Sequence, residues 1–161
     1  MKSDPSPILR RQLIELLKGG SAHATFAEAT AGFPAKLRGR IPPKLSHSAW
    51  MLLEHLRIAQ WDILEFSTTP GHVSPPWPQG YWPSTPHAPQ PKAWGESIRK
   101  FEHDLLAMQK LVANRRTDLF RKIPWGDGQT ILRQALLTAD HNAYHVAQLV
   151  DVRRALGAWK K

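Results

Sequence analysis

The chain has 161 residues, 22 Lys and Arg against 13 Asp and Glu, a formal net charge of +9 and no cysteine. That length suits a single domain over residues 1–161 with a sizeable core. The absence of thiols excludes a disulfide framework, a cysteine nucleophile and any Cys-ligated zinc or iron–sulfur site, so a metal would have to be held by His, Asp or Glu.

The longest unbroken apolar run, Ala49 to Leu53, is far short of a membrane span. The start MKSDPSPI has no apolar signal region. A cytoplasmic protein without a membrane partner is therefore expected. The basic charge favours encounter with acidic partners but says nothing about chemistry.

From Pro7, small or apolar residues recur at Leu9, Leu13, Leu16, Gly20, His23, Ala27 and Ala31, a helical spacing that predicts one inward stripe. Ser6-Pro7 is a suitable start. Gly19-Gly20 interrupts this stretch while the stripe keeps its register, which predicts one kinked helix or two collinear ones. Phe33–Lys44, with three prolines and four basic residues, reads as a connection.

A second long helix is expected from Ser46 or Ser48 to about Phe66, with Met51, Leu52, His55, Ile58, Ala59, Asp62 and Phe66 on one face. Residues 70–92 contain eight of the fourteen prolines together with Trp77, Tyr81 and Trp82. Such a segment cannot continue a helix and should wrap the fold as an ordered loop. A third helix over Ala93–Asn114 shows the cleanest period, at Trp94, Ile98, Phe101, Leu105, Met108 and Val112. Ile123–Thr130 is a turn, after which Asp127 or Thr130 can cap a final helix that ends at Leu156 before Gly157. No strand pattern appears. The expected fold is all-α, a four-helix bundle with a long Pro/Trp-rich loop between its second and third main helices, an architecture that builds metal sites from facing helices.

The final helix carries His141-Asn142-Ala143-Tyr144-His145. Two imidazoles at i and i+4 are separated by roughly 6 Å of rise and about 40° of rotation, so both rings can converge on one ion. Such a pair alone is often a surface feature. His55, placed on the apolar face of another helix, adds a third donor, although a core histidine bonded to a backbone carbonyl is the plainer explanation for that residue alone. Burying three imidazoles without a common partner would cost several kcal/mol, and a shared divalent ion resolves this more simply. Asn142 stands where HExxH proteases have their glutamate, and no Glu-x-x-His of the di-iron type occurs. Walker A, GxSxG and GxGxxG motifs are also missing.

Glu54-His55-Leu56-Arg57-Ile58-Ala59-Gln60-Trp61-Asp62, followed by Asp140-His141-Asn142-Ala143-Tyr144-His145-Val146-Ala147-Gln148 and Arg153-Arg154-Ala155-Leu156-Gly157, resemble the DinB-like (YfiT-type) metalloenzymes. The resemblance covers most of the chain in helix order. It implies a four-helix bundle with a divalent metal, commonly Zn or Ni, on one His of the second helix and two of the last. Here these are His55, His141 and His145. It further implies a thiol S-transferase using a low-molecular-weight thiol as one known activity among relatives, many of which have no assigned reaction. The Pro- and Trp-rich insertion departs from the simpler family pattern, so the substrate class does not carry over.

Secondary candidates surround this trio. Asp62, seven residues beyond His55, could serve as a general base, orient a water or support a ligand, or simply be a buried hydrogen-bonding group. His23, on the inward stripe of the first helix, could line the pocket, or bond a backbone group near the kink. Tyr144 and Gln148 could donate hydrogen bonds at the open coordination position, although packing explains Tyr144 equally. Asp140 is expected to form an interhelix salt bridge, and His47, His72, His87 and His103 to be exposed. Without a recognition motif, nucleic-acid binding is not expected.

The resulting expectation is a metal-dependent enzyme acting on a small molecule, by thiol transfer or a small hydrolysis. The alternative is a non-catalytic basic helical binding protein with a structural metal or none. Apolar surface on Trp-rich segments is compatible with a homodimer.

Overall fold

The computed structural model describes residues 6–159. It is all-helical, with α1 at Ser6–Lys18, α2 at Phe26–Thr30, α3 at Ala49–Thr68, α4 at Ala93–Ala113 and α5 at Ile131–Ala155. Among the described residues the only strand-like pairing is the isolated bridge Lys122–Thr130. No described helix is long and apolar enough to cross a membrane.

The starts follow local chemistry. Ser48 caps α3 by accepting the Met51 amide at 3.2 Å, and Thr130 caps α5 by accepting the Arg133 amide at 3.2 Å. Of the two caps considered for the last helix, Thr130 is therefore the one used. At its other end, Gly157 adopts a left-handed φ of 67° and its N–H returns to the Arg154 carbonyl at 2.9 Å.

Of the two arrangements expected for the first segment, the single kinked helix does not form and two helices do. No continuous or kinked helix runs from Pro7 to Ala31: α1 stops at Lys18, and Gly19 and Gly20 both turn left-handed, at φ 69° and 87°. The chain restarts only at α2, where Thr25 and Glu28 form a capping box. The apolar stripe is broken accordingly. Leu13 and Leu17 are buried, whereas Leu16 is 53% exposed and His23 lies exposed on the intervening loop.

α3 is the central helix. It packs against both α4 and α5, and α1 in turn packs against α4 and α5. One apolar cluster gathers Phe33, Trp50, Leu53, Leu56, Trp94, Phe101, Val146 and Leu149. A second gathers Leu13, Leu17, Ile63, Leu64, Met108, Val112, Leu119, Ile131 and Ala135. A buried polar layer lies between them in sequence along α3 and α5: Asn142 Nδ2 donates to Gln60 Oε1 at 2.7 Å, and Gln60 Nε2 donates to the Phe101 carbonyl at 2.6 Å. This chain of bonds pins α5, α3 and α4 together beside His141, satisfying both groups of the Gln60 amide and the Asn142 nitrogen, while Asn142 Oδ1 is buried without a hydrogen-bond partner.

Residues 69–92 connect α3 to α4 through a single 3-10 turn, Gln79–Tyr81. Side chains of α3 and its cap hold them down. Ser48 Oγ donates to the Pro86 carbonyl at 2.6 Å, and Tyr81 Oη donates to Asp62 Oδ2 at 2.6 Å.

Candidate metal centre

His55 is carried by α3, and His141 and His145 by α5 at i and i+4. Their side chains meet: His55 Nε2 lies 3.1 Å from His145 Nε2 and 3.1 Å from His141 Nε2. The three ligand atoms all lie within 4.8 Å of one another, a grouping that could hold a metal ion. His55 and His145 are 3% and 8% exposed, and His141 is half-buried.

Hydrogen bonding on the far side of the rings decides what these nitrogens offer. His55 Nδ1 is 2.9 Å from the Tyr81 carbonyl oxygen. A carbonyl can only accept, so Nδ1 carries the proton and Nε2 presents a lone pair. His145 Nδ1 is 2.7 Å from Gln148 Oε1, which directs its Nε2 to the same point. His141 Nδ1 is buried without a hydrogen-bond partner. Held the same way as His55, with its proton on Nδ1, His145 also presents a lone pair, so two Nε2 lone pairs face each other at 3.1 Å with no proton between them. A divalent ion removes the conflict. Donors about 2.0–2.1 Å from one tetrahedral ion are about 3.3 Å apart, close to the 3.1 Å separations here.

The electrostatics favour the ligating state. Burial, reinforced by the facing imidazoles of His145 and His55, pushes His141 down to about 3. Burial and the neighbouring His55 push His145 down to about 4. Burial also lowers His55, against the opposing bond to Tyr81. Neutral imidazoles near pH 7 are what a divalent ion requires.

No family model, curated protein or solved structure matches this chain. The functional reading therefore stands on the residues themselves.

Around the trio, the 69–92 connection supplies a wall that periodicity could not foresee. The Trp82 indole stacks on His55 with centroids 3.9 Å apart and planes 1° from parallel, and it also stacks on His47 at 4.3 Å. His47 is thus half-buried rather than exposed. His72 departs from expectation in the same way: its side chain is 8% exposed and its Nε2 is 2.7 Å from Asp62 Oδ1. His87 and His103 are exposed.

The secondary candidates fall in different places. Asp62 is buried, and its two oxygens accept from His72 and Tyr81, so its carboxylate engages the connection rather than the three Nε2 atoms. Gln148 lies behind His145, on the Nδ1 side, as an orienting acceptor rather than at an open position. Tyr144 is 62% exposed and presents an edge-to-face contact to His145. His23 is outside the centre, its Nδ1 2.8 Å from the Ala24 carbonyl, because the loop after Gly20 carries it off the helical stripe. Asp140 is exposed and makes no ion pair among the described residues. Beside the centre, Lys44, His47, Gln148 and Asp151 line a cavity of about 330 Å³.

Proposed function

We propose that this chain is a metalloprotein of the DinB-like (YfiT-type) kind, a four-helix bundle in which His55, His141 and His145 hold one divalent ion, Zn or Ni, for a reaction on a small molecule. The convergence of three Nε2 atoms from two helices carries the reading. The bundle is supported by the cyclic packing in which α1 and α3 each contact α4 and α5. Zn and Ni suit an all-imidazole donor set.

When bound, such an ion would supply Lewis acidity to an oxygen or sulfur ligand in a coordination position beyond the three imidazoles. The chain's own part is to hold three neutral donors in place, through the Tyr81 carbonyl behind His55 and the Gln148 amide behind His145, while Trp82 excludes water from one face of His55. A low-molecular-weight thiol transferred to an electrophile, or a small hydrolysable ester or amide, fits this chemistry.

The second reading, a non-catalytic basic protein with a structural metal, is favoured by the burial of His55 and His145. Assays of the zinc- or nickel-loaded protein with thiol acceptors and small esters separate the two. Turnover that disappears in His141→Ala supports the enzyme. Metal binding with no turnover on any of these substrates supports the structural role.

A further inference from the structure

We infer that Asp62, acting through Tyr81, is a positioning residue for the three-histidine centre, and that this couple fixes His55 in its ligating tautomer. The inference rests on the metal reading above and deepens it.

Asp62 lies two turns beyond His55 on α3, roughly 10 Å along the axis, and its side chain is 12% exposed. Both of its oxygens accept from the 69–92 connection, Oδ1 from His72 at 2.7 Å and Oδ2 from Tyr81 at 2.6 Å. Neither partner belongs to a helix of the core. Tyr81 is therefore held at two points along α3, its phenol on Asp62 and its carbonyl on His55 Nδ1 at 2.9 Å.

The turn around that carbonyl is closed on itself, by Gly80, Tyr81 and Trp82 amides donating to the Pro76, Pro78 and Gln79 carbonyls, and none of these bonds ties it to α3. A buried carboxylate with two donors provides the missing anchor, because freeing it would leave a charge without partners. The carbonyl in turn dictates where the His55 proton sits, and such outer partners of ligating histidines set ring orientation and basicity. Trp82, the next residue, is carried by the same anchor onto the His55 ring.

The test uses the full chain and three variants, Tyr81→Phe, Asp62→Ala and Asp62→Asn, with exposed Val73→Ala as a control on the same connection. Zn²⁺ affinity is read by competition with a chromophoric chelator, and imidazole tautomers in metal-free protein by long-range ¹H–¹⁵N correlation. Wild-type His55 should carry its proton on Nδ1. Tyr81→Phe and Asp62→Ala should bind Zn²⁺ about 10–100-fold more weakly and lose that single tautomer. Asp62→Asn should stay close to wild type, since its amide oxygen still accepts the phenol and His72 can change tautomer to accept from the amide nitrogen. Val73→Ala should match wild type.

Wild-type affinity and an unchanged tautomer in both Tyr81→Phe and Asp62→Ala would overturn this inference and leave the metal reading intact. If those variants fail to fold, a wild-type His55 protonated on Nε2, or an Asp62→Asn that folds yet binds as poorly as a His55→Ala chain, overturns it. A wild type that takes up no Zn²⁺ overturns the metal reading and this inference together.

Discussion

Gln60 shows how strongly single side chains are constrained near the centre. It is fully buried, and its amide joins Asn142 to the Phe101 carbonyl. Gln60→Leu keeps the bulk but strands the Asn142 amide in an apolar seam. It should destabilise the fold by about 1–3 kcal/mol in equilibrium denaturant unfolding, and an unchanged midpoint would show that the layer is not what ties the helices together.

The histidines make a second prediction at the same scale. In the folded, metal-free protein His141 and His145 are held down to about 3 and about 4, by burial together with His145 and His55 for the first and with His55 for the second, whereas in the unfolded chain they titrate near the ordinary value of about 6.5. Between those limits the unfolded state binds more protons. Stability is therefore complete above about 6.5 and falls as pH drops toward the folded values. Melting temperatures of chelator-treated protein between neutral pH and mild acid should fall more steeply for wild type than for a His141→Gln, His145→Gln variant. Parallel curves would contradict the assignment of these depressed values.

At the scale of elements, the separation of α1 from α2 depends on a glycine pair. Gly20 has a φ of 87°, and a Cβ there would lie 2.7 Å from Thr25 Cγ2. Gly20→Ala should cost about 1–3 kcal/mol, whereas Gly71→Ala, with similar φ but open space around it, should cost less in the same unfolding assay. Ser48 serves two elements at once, capping α3 and tethering the connection at Pro86. Ser48→Ala should lose about 0.5–2 kcal/mol from the cap alone, and a value near zero would mean that neither bond contributes.

The cation Arg153 works between elements as well. Near the end of α5, it is 8% exposed and donates to the carbonyls of Glu28, Ala29 and Ala158. It satisfies the end of the five-residue α2, which is too short to stand alone. Arg10 does similar work for α4, donating to Val112, Asn114 and Thr117 carbonyls.

Across the whole molecule, what could be read in advance was what repeats. The apolar spacing of α3, α4 and α5, with the Ser48 and Thr130 caps, placed the long helices because many residues agree on one period. The i, i+4 pair on α5 and the inward His55 were visible for the same reason. The interruption at Gly19-Gly20 was legible, but the loop that carries His23 off the stripe was hidden because residues after Gly20 fell in helical register by coincidence. The roles of Tyr81, Trp82, His47 and His72 were hidden because contacts from a non-periodic, proline-rich segment have no local signature. The two explanations weighed for His55, a core histidine on a backbone carbonyl and a metal ligand, are compatible: Nδ1 meets the Tyr81 carbonyl, and Nε2 faces the other two imidazoles in a cluster that could hold an ion.

The central claim is that three imidazoles from two helices share one ion, and elemental analysis of the purified chain beside His55→Ala, His141→Ala and His145→Ala tests it most directly. Close to one divalent ion per wild-type chain, and little or none in each folded variant, is the predicted result. Full stoichiometry in the variants, or none in the metal-supplemented wild type, would contradict it.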